Sequence, residues 1–207
     1  MTLERETDTF SENLAKLEFP ESFMLKEIVI GNENAPLTVI IYSSFTCDHC
    51  RDFHLKEFPK FKKKYIDTGK VKVYLRCYLD DLGAFESASL MRCLAGEDIK
   101  KITKAYHDIF SQQSAWKKSK DPRTYLKNIF LNQKYTLEDV DACLENRKVQ
   151  AGLMKEQQRA MIGMRIISMP AFVIGENIHQ GILNAEELAE MCGLQDSSLS
   201  TLDKTTL

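Results

Sequence analysis

Hydrophobic positions in the first half of the chain predict strands on either side of one amphipathic helix. The run from Leu37 to Tyr42 consists of apolar residues and one threonine, which is typical of a central strand buried on both faces. Over residues 71–78 apolar and more polar positions alternate, which is the period of a half-buried strand. Between these strands, aromatic and leucine residues recur at helical spacing from Phe53 to Tyr65, and Pro59 should kink this helix. A shorter strand over 26–31 precedes them.

The second half of the chain has the pattern of a helical block followed by a hairpin. Residues 84–163 are mostly helical in pattern, and Thr136 is a suitable N-cap three residues ahead of an acid. Apolar residues at 171–174 predict a strand that turns at Gly175, and a last helix follows around 185–192. The predicted strands are therefore split around the helical block.

This order of elements predicts an α/β protein with an inserted all-helical domain. The predicted parts are an N-terminal amphipathic segment at 1–25, the sheet-containing domain at 26–82 and 164–195, the helical insertion at 83–163, and a flexible tail at 196–207. Two interpretations of the N-terminal segment remain open. It is either a helix packed on its own domain or the remnant of a stalk through which copies of the chain would form homo-oligomers.

Composition is that of an ordinary globular protein. Of the 207 residues, 43% are hydrophobic and 28% are charged, which is sufficient for a packed core. The formal net charge of −2 gives no electrostatic reason to expect nucleic acid or an anionic membrane as a partner. No apolar run approaches the roughly 18 residues of a membrane span, and the first residues lack the basic and apolar regions of a signal peptide. A cytosolic protein and the mature form of an exported protein both fit.

The strongest chemical signal is the sequence Cys47-Asp48-His49-Cys50 at the predicted start of the long helix. Two cysteines three residues apart at a helix start lie about one turn from each other, so their sulfurs can close a disulfide. Cys47, at the positive end of the helix, should be an exposed thiolate with a lowered pKa. Cys50, inside the helix, should be the resolving thiol. The motif therefore predicts thiol–disulfide exchange with these two cysteines as the catalytic pair.

Neighbouring residues refine this prediction. His49, when protonated, adds positive charge beside the Cys47 thiolate, and Asp48 opposes it, so both are candidate tuning residues. The alternative for the motif is half of a zinc site, which needs two further ligands with their own spacing. The other four cysteines are widely scattered, so we expect neither a metal nor a cofactor. His54, one turn beyond Cys50, is interpreted as a helix-surface histidine.

A second signal is the sequence Ser168-Met169-Pro170, which opens the strand at Ala171. Proline donates no backbone hydrogen bond and is well tolerated as the first residue of a strand. Only about 5 to 6% of X–Pro bonds in folded proteins are cis. The residues alone therefore favour an ordinary trans bond before Pro170.

Taken together, these features resemble the thioredoxin fold with the helical insertion typical of the DsbA family. They are a strand, a CxxC on a kinked helix, another strand, a helical insertion, a proline-initiated hairpin and a terminal helix. The match runs from about residue 26 to 193. The stretches that resemble the family most are Phe45-Thr46-Cys47 with His49-Cys50, Tyr65-Ile66-Asp67-Thr68-Gly69-Lys70, Arg92-Cys93, and Asp141-Ala142-Cys143-Leu144.

The resemblance implies how the site would work. Pro170 would be cis and pack against the CxxC, leaving the Met169 backbone free to pair with a substrate strand. A substrate thiolate would attack Cys47 of the oxidised motif, and a second substrate thiol would then release the product. Substrates would be unfolded or reduced proteins, the redox partner a DsbB-like or DsbD-like membrane protein, and the location the bacterial periplasm. Cys93 and Cys143 of the insertion would form a structural disulfide in such a compartment.

Three departures from the family leave the direction of the reaction open. Asp48 stands where the family more often has proline, Met169 stands where it often has valine or threonine, and Ile41 stands where thioredoxin-like proteins commonly carry a buried acid. An oxidase that introduces disulfides into exported proteins is the leading hypothesis, and an oligomeric disulfide isomerase is the alternative. Outside this class, a glutathione-transferase-like enzyme or a noncatalytic binding or chaperone module would share the architecture without needing both thiols.

Overall fold

The computed structural model describes residues 25–194. Except for Leu25, the predicted N-terminal segment at 1–25 lies outside the described residues, as does the predicted tail at 196–207. Within residues 25–194, none of the helices combines the length and the apolar character that a bilayer crossing requires.

Five strands form one mixed sheet, as the α/β prediction requires. In chain order the strands are β1 (Ile28–Ile30), β2 (Leu37–Ser43), β3 (Val71–Cys77), β4 (Ala171–Ile174) and β5 (Asn177–Gln180). Their order in the sheet is β1-β3-β2-β4-β5. The β2–β3 pair is parallel, and the other three pairs are antiparallel.

The central position of β2 explains its continuous apolar run. Val39 and Ile41 belong to the larger hydrophobic core, which includes the helical block. Their neighbours Ile40 and Tyr42 contact a second, smaller core on the opposite face of the sheet. Successive side chains of a strand point to opposite faces, so β2 is apolar at consecutive positions from Val39 to Tyr42 because both faces are covered there.

One continuous helical segment follows β2 and carries the CxxC. It consists of α1 (Asp48–Asp52), a π-helical turn (Phe53–Glu57), α2 (Phe58–Phe61) and a second π-helical turn (Lys62–Ile66). The irregularity agrees with the kink predicted at Pro59, because proline cannot donate the hydrogen bond expected one turn back. In its place, the N–H of Phe58 bonds the carbonyl of Phe53 in the wider π turn.

Helices then fill the chain between β3 and β4. They are α3 (Leu82–Ala95), α4 (Ile99–Ser111), α5 (Gln113–Lys118), α6 (Pro122–Leu131), α7 (Leu137–Leu144) and α8 (Arg147–Gln158), which ends in a π-helical turn (Arg159–Gly163). The predicted cap is present, because Thr136 and Asp139 form a reciprocal capping box at the start of α7. The last helix, α9 (Ala185–Met191), packs against α2.

Cys93 and Cys143 join two helices of the block through a disulfide. Cys93 lies in α3 and Cys143 in α7, with 5.5 Å between their Cα atoms and a sequence separation of 50. This is the pairing that the family resemblance implied. The bond closes a long loop, so it restricts the unfolded chain more than the folded one.

We predict that replacing both Cys93 and Cys143 with alanine lowers the free energy of unfolding by about 2 to 4 kcal/mol, because a loop of this length loses its restraint in the unfolded state. Denaturant titration measures the change. The same titration with reductant is the control, since reduction should bring the wild-type protein to the stability of the variant. Equal stability of both proteins without reductant would contradict a stabilising role.

Candidate active site

The end of β2 delivers the CxxC to the start of α1. Cys47 is the N-cap of α1, with an extended backbone (φ −79°, ψ 121°), and its sulfur accepts a hydrogen bond from the Cys50 N–H at 3.3 Å. An N-cap side chain normally accepts this bond through oxygen, so here the sulfur of Cys47 takes the place of a hydroxyl or carboxylate. Its own carbonyl accepts the first helical bond, from Arg51.

The two cysteine side chains differ in access. Cys47 is half-buried, whereas Cys50 is fully buried, with 0% of its surface exposed. Both are free thiols in the structure. An incoming sulfur can therefore approach Cys47 from solvent, and Cys50 can react only with Cys47. This difference in access is what the predicted division into attacked and resolving thiols would require.

Local hydrogen bonds lower the pKa of Cys47 to about 6. The largest cause is a hydrogen bond from the Cys50 thiol; burial opposes it, and the backbone N–H groups of Cys50 and His49 support it. The carboxylate of Asp80 raises the pKa again by repulsion. Cys47 is therefore mainly a thiolate at neutral pH, which makes it both a nucleophile and a good leaving group.

The pKa of Cys50 shifts in the opposite direction. Burial is the main cause, because it disfavours the charged form, and the adjacent Cys47 thiolate adds to it. Cys50 therefore stays protonated while Cys47 is ionised. The two sulfurs therefore carry one proton, which stays on Cys50, and the Cys50 thiol donates a hydrogen bond to the Cys47 sulfur.

The loop before β4 lies across from Cys47. The Met169–Pro170 peptide bond is cis, which is the isomer that the family resemblance implied and the opposite of what the residues alone favour. The Cys47 sulfur lies 3.6 Å from the Met169 carbonyl oxygen. Gln180 fixes this loop from β5, because its side-chain oxygen accepts the backbone N–H groups of Ile167 and Ser168 at 2.8 and 3.0 Å.

The side chains of Asp48 and His49 both point to solvent. Asp48 is paired with Arg51 at 3.3 Å and with Lys117 at 3.4 Å, so its charge is partly compensated. His49 is exposed and acts on the Cys47 sulfur through its backbone N–H. The effect predicted for the charge of its ring stays a prediction.

Three residues at the site carried no recognisable signal in the sequence. Gln113, fully buried at the start of α5, donates to the carbonyls of Phe45 and Cys47 at 2.8 and 2.9 Å. Lys117 of the same helix donates to the carbonyl of Thr46. Asp80, which follows β3, accepts from the hydroxyls of Ser44 and Thr46. These contacts are tertiary, so no local pattern could reveal them.

The interpretation of His54 as a surface histidine is only partly right, because the residue is half-buried. Its ring stacks on Phe110 of α4, with ring centroids 5.0 Å apart and 14° between the planes. Its Nε2 atom lies 2.8 Å from the Ser43 hydroxyl. Burial lowers the pKa of His54 to about 3, so the ring is neutral. The helical block covers this side of the helix, which the periodicity of the helix alone could not show.

The described residues contain no cluster of three or more histidine, cysteine, aspartate or glutamate side chains of the kind that holds a metal ion. The chemistry of the site instead rests on its two thiols. The fold and this geometry together define a thioredoxin-fold protein with a dithiol centre.

Comparison with known proteins agrees with this class. The sequence model of the thioredoxin family matches residues 24–192, so the chain belongs to that family. Two solved structures show the same fold. Alpha-DsbA1 of Wolbachia pipientis is 24% identical, with a TM-score of 0.74 over 88% of this chain and 94% of its own. BdbD of Bacillus subtilis is 20% identical, with a TM-score of 0.69 over 81% of this chain and 91% of its own. The fold of this chain is thus the one seen in these two structures.

Curated relatives carry names that refer to disulfide chemistry. A Rickettsia conorii protein named as a protein-disulfide oxidoreductase is 31% identical over 72% of this chain and 53% of its own length. A Bacillus anthracis protein named as disulfide bond formation protein D is 25% identical over 72% of this chain and 70% of its own. The chain thus spans about half the length of the rickettsial relatives it matches.

We predict that the thiolate absorbance of the reduced protein titrates with a midpoint near pH 6, owing to the hydrogen bonds to Cys47. Replacement of Cys47 with serine should remove this transition, whereas replacement of the buried Cys192 with alanine should retain it. A midpoint near that of an ordinary thiol would contradict the assigned hydrogen bonds.

The same shift predicts how stability depends on pH. The pKa of Cys47 is lower in the folded protein than its usual value of 9.0, so between these values the unfolded state binds more protons. The reduced protein should therefore gain stability as pH rises from about 6 towards 9, and lose it as pH falls through 6. Denaturant titrations at several pH values measure this. The oxidised protein, which has no thiol at Cys47, is the control and should lack this gain in the free energy of unfolding.

We predict that Gln113→Ala destabilises the protein by about 1 to 3 kcal/mol, because two buried carbonyls beside the motif lose their donor. Denaturant titration measures the loss, and amide hydrogen exchange should show faster opening around Cys47. The matched control is Gln133→Ala, which removes one hydrogen bond to Asp108 away from the motif. A loss no larger than that of the control would contradict an anchoring role for Gln113.

Proposed function

We propose that this chain is a thiol–disulfide oxidoreductase that exchanges the Cys47–Cys50 disulfide with protein thiols, mainly to introduce disulfides into exported proteins. The observation that carries the proposal is the pairing of an accessible sulfur, whose pKa is about 6, with a fully buried second thiol. An accessible thiolate is a good leaving group when a substrate thiol attacks, and the buried thiol can close the disulfide again. A noncatalytic module would need neither property.

The surface near the motif suits an unfolded polypeptide. Ile167 and Ile182 are large apolar residues that are 76% and 62% exposed. Ile167 precedes the cis-proline loop, and Ile182 lines a groove together with His49 and Phe53. Apolar surface beside a reactive sulfur favours substrates whose own apolar residues are still exposed. We therefore propose that reduced, incompletely folded proteins are the substrates, with the Met169 backbone available to pair with them.

The cellular setting is part of this proposal. Disulfides such as Cys93–Cys143 persist in oxidising compartments and are rare in the cytosol. The names of the relatives, which refer to disulfide bond formation, support the same setting. We place the mature protein in the bacterial periplasm, where a DsbB-like or DsbD-like membrane protein would act as its redox partner.

Oxidation of reduced, unfolded ribonuclease tests the proposed activity. The oxidised protein should restore ribonuclease activity, and Cys47→Ser should abolish this because substrate can no longer attack the accessible sulfur. Cys50→Ala cannot form the Cys47–Cys50 disulfide and should also fail to oxidise reduced ribonuclease. With scrambled ribonuclease, whose disulfides the Cys47 thiolate can attack, this variant should accumulate mixed disulfides at Cys47, because the resolving thiol is missing. Cys192→Ala, which removes a buried thiol elsewhere, is the matched control. Full activity of Cys50→Ala would overturn the dithiol mechanism.

Refolding of scrambled ribonuclease separates the isomerase alternative from the oxidase. An oxidase should be efficient on the reduced substrate and poor on the scrambled one, and an isomerase should show the reverse preference. The homo-oligomer that an isomerase would form stays a prediction, because the segment at 1–25, except for Leu25, lies outside the described residues.

A further inference from the structure

Cys50 must exchange a proton in a place that solvent does not reach. When the Cys47–Cys50 disulfide opens, Cys50 leaves as a thiolate, and when the disulfide closes, the thiol must lose its proton again. Yet 0% of Cys50 is exposed, and burial together with the Cys47 thiolate raises its pKa. The adjoining strand offers no acid at Ile41, which is itself fully buried. Proton exchange therefore requires a polar path from this sulfur towards solvent.

Two polar side chains lie next to the sulfur, in the direction of the helical block. Ser43, the last residue of β2, is 2% exposed, and its hydroxyl lies near enough to the Cys50 sulfur to lower the pKa of that thiol against the effect of burial. The same hydroxyl lies 2.8 Å from the Nε2 atom of His54. His54 follows Cys50 by four residues, so both side chains project from the same face of the helix. The path therefore leads from Cys50 through Ser43 to the imidazole of His54.

The surroundings of His54 suit a ring that passes protons on without holding a charge. Phe53, Tyr106 and Phe110 pack against it, with ring centroids 5.4, 5.2 and 5.0 Å away. Burial among these rings keeps the imidazole neutral at physiological pH. A neutral imidazole has one nitrogen that donates and one that accepts, so it can take up a proton at one atom while releasing another. His54 is only half-buried, which leaves part of the residue in contact with solvent.

The other titratable groups near this ring keep their charge state around neutral pH. Tyr106 of α4 hydrogen-bonds Cys77 of β3, with 3.6 Å between oxygen and sulfur, and burial raises the pKa of both groups. On the same helix as His54, Asp52 and Glu57 are paired at the surface with Lys56 and Lys60. The pH dependence of the reaction rate of Cys50 should therefore reflect proton transfer at Cys50, Ser43 and His54, and not the titration of a neighbouring group.

We propose that Ser43 and His54 form a proton relay for Cys50, an inference that rests on the proposed function. As a substrate thiolate bonds to the Cys47 sulfur, the Cys47–Cys50 bond breaks and its electron pair leaves on Cys50. Ser43 gives its hydroxyl proton to the Cys50 sulfur and takes the Nε2 proton of His54, while Nδ1 takes up a proton from solvent. The imidazole ends neutral, as its other tautomer. Closure of the disulfide reverses each transfer and returns one proton to solvent.

Rapid mixing of the reduced protein with glutathione disulfide separates the two chemical steps. Formation of the mixed disulfide at Cys47 depends on the concentration of glutathione disulfide, whereas attack by Cys50 sets a concentration-independent limiting rate. Ser43→Ala and His54→Phe should each lower the limiting rate by about tenfold or more, in line with general acid–base catalysis, and leave the concentration-dependent rate unchanged. The double variant should be no slower than either single variant, because both residues serve one path.

The pH profile distinguishes a relay from a packing role. In the Ser43→Ala variant the limiting rate should rise by about tenfold per pH unit, because Cys50 must lose its proton to hydroxide directly, while the wild-type profile should be flatter. Ser43→Thr, which keeps the hydroxyl, should restore both the rate and the profile. Ser87→Ala is the matched control: it removes another buried hydroxyl, on α3, which has no hydrogen-bond partner.

Three outcomes would overturn the relay. They are an unchanged limiting rate in both single variants, an equal slowing of both chemical steps, and failure of Ser43→Thr to restore the rate. Failure of the proposed function would look different, because the wild-type protein would then form no mixed disulfide at Cys47 at any concentration of glutathione disulfide.

Discussion

The site depends on the N-cap of helix α1, where the sulfur of Cys47 accepts the hydrogen bond that a side-chain oxygen usually accepts. The first N–H groups of any helix lack partners within it, and here the Cys50 N–H finds its partner in sulfur at 3.3 Å. The bond is strongest when the sulfur is ionised. The one hydrogen bond therefore stabilises both the start of the helix and the ionised form of the thiol. The strand that ends at Ser43 and the loop that begins α1 have to place this sulfur accurately.

The helical block contributes to this placement and is more than an appendage of the sheet domain. Gln113 and Lys117 reach from α5 to three carbonyls of the loop around the motif. Phe110 of α4 covers the opposite side of the helix, where it stacks on His54. The same block thus fixes the accessible sulfur from one side and isolates the environment of the buried sulfur from the other.

Patterns within single elements were enough to predict much of this molecule. The strand at β2, the helical block, and the position of Cys47 at the helix start with Cys50 buried one turn later follow from periodicity and spacing. The features that the sequence did not predict depend on contacts between distant segments of the chain. His54 looked exposed because a helix cannot reveal what packs on it, and Gln113 resembles any other glutamine until the fold brings it to the motif. The cis bond before Pro170 followed only from family resemblance, since local preference favours trans.

The direction of electron flow is set by the balance of charges around Cys47. Stabilising its thiolate stabilises the reduced form over the disulfide, which makes the oxidised protein a stronger oxidant. The hydrogen bonds from Cys50 and from the backbone act in this sense, whereas burial and the charge of Asp80 act against it. Asp80 also accepts from Ser44 and Thr46, so the acid that orders the loop limits the oxidising power of the sulfur that the loop presents. Structural order and redox strength are therefore coupled through a single carboxylate.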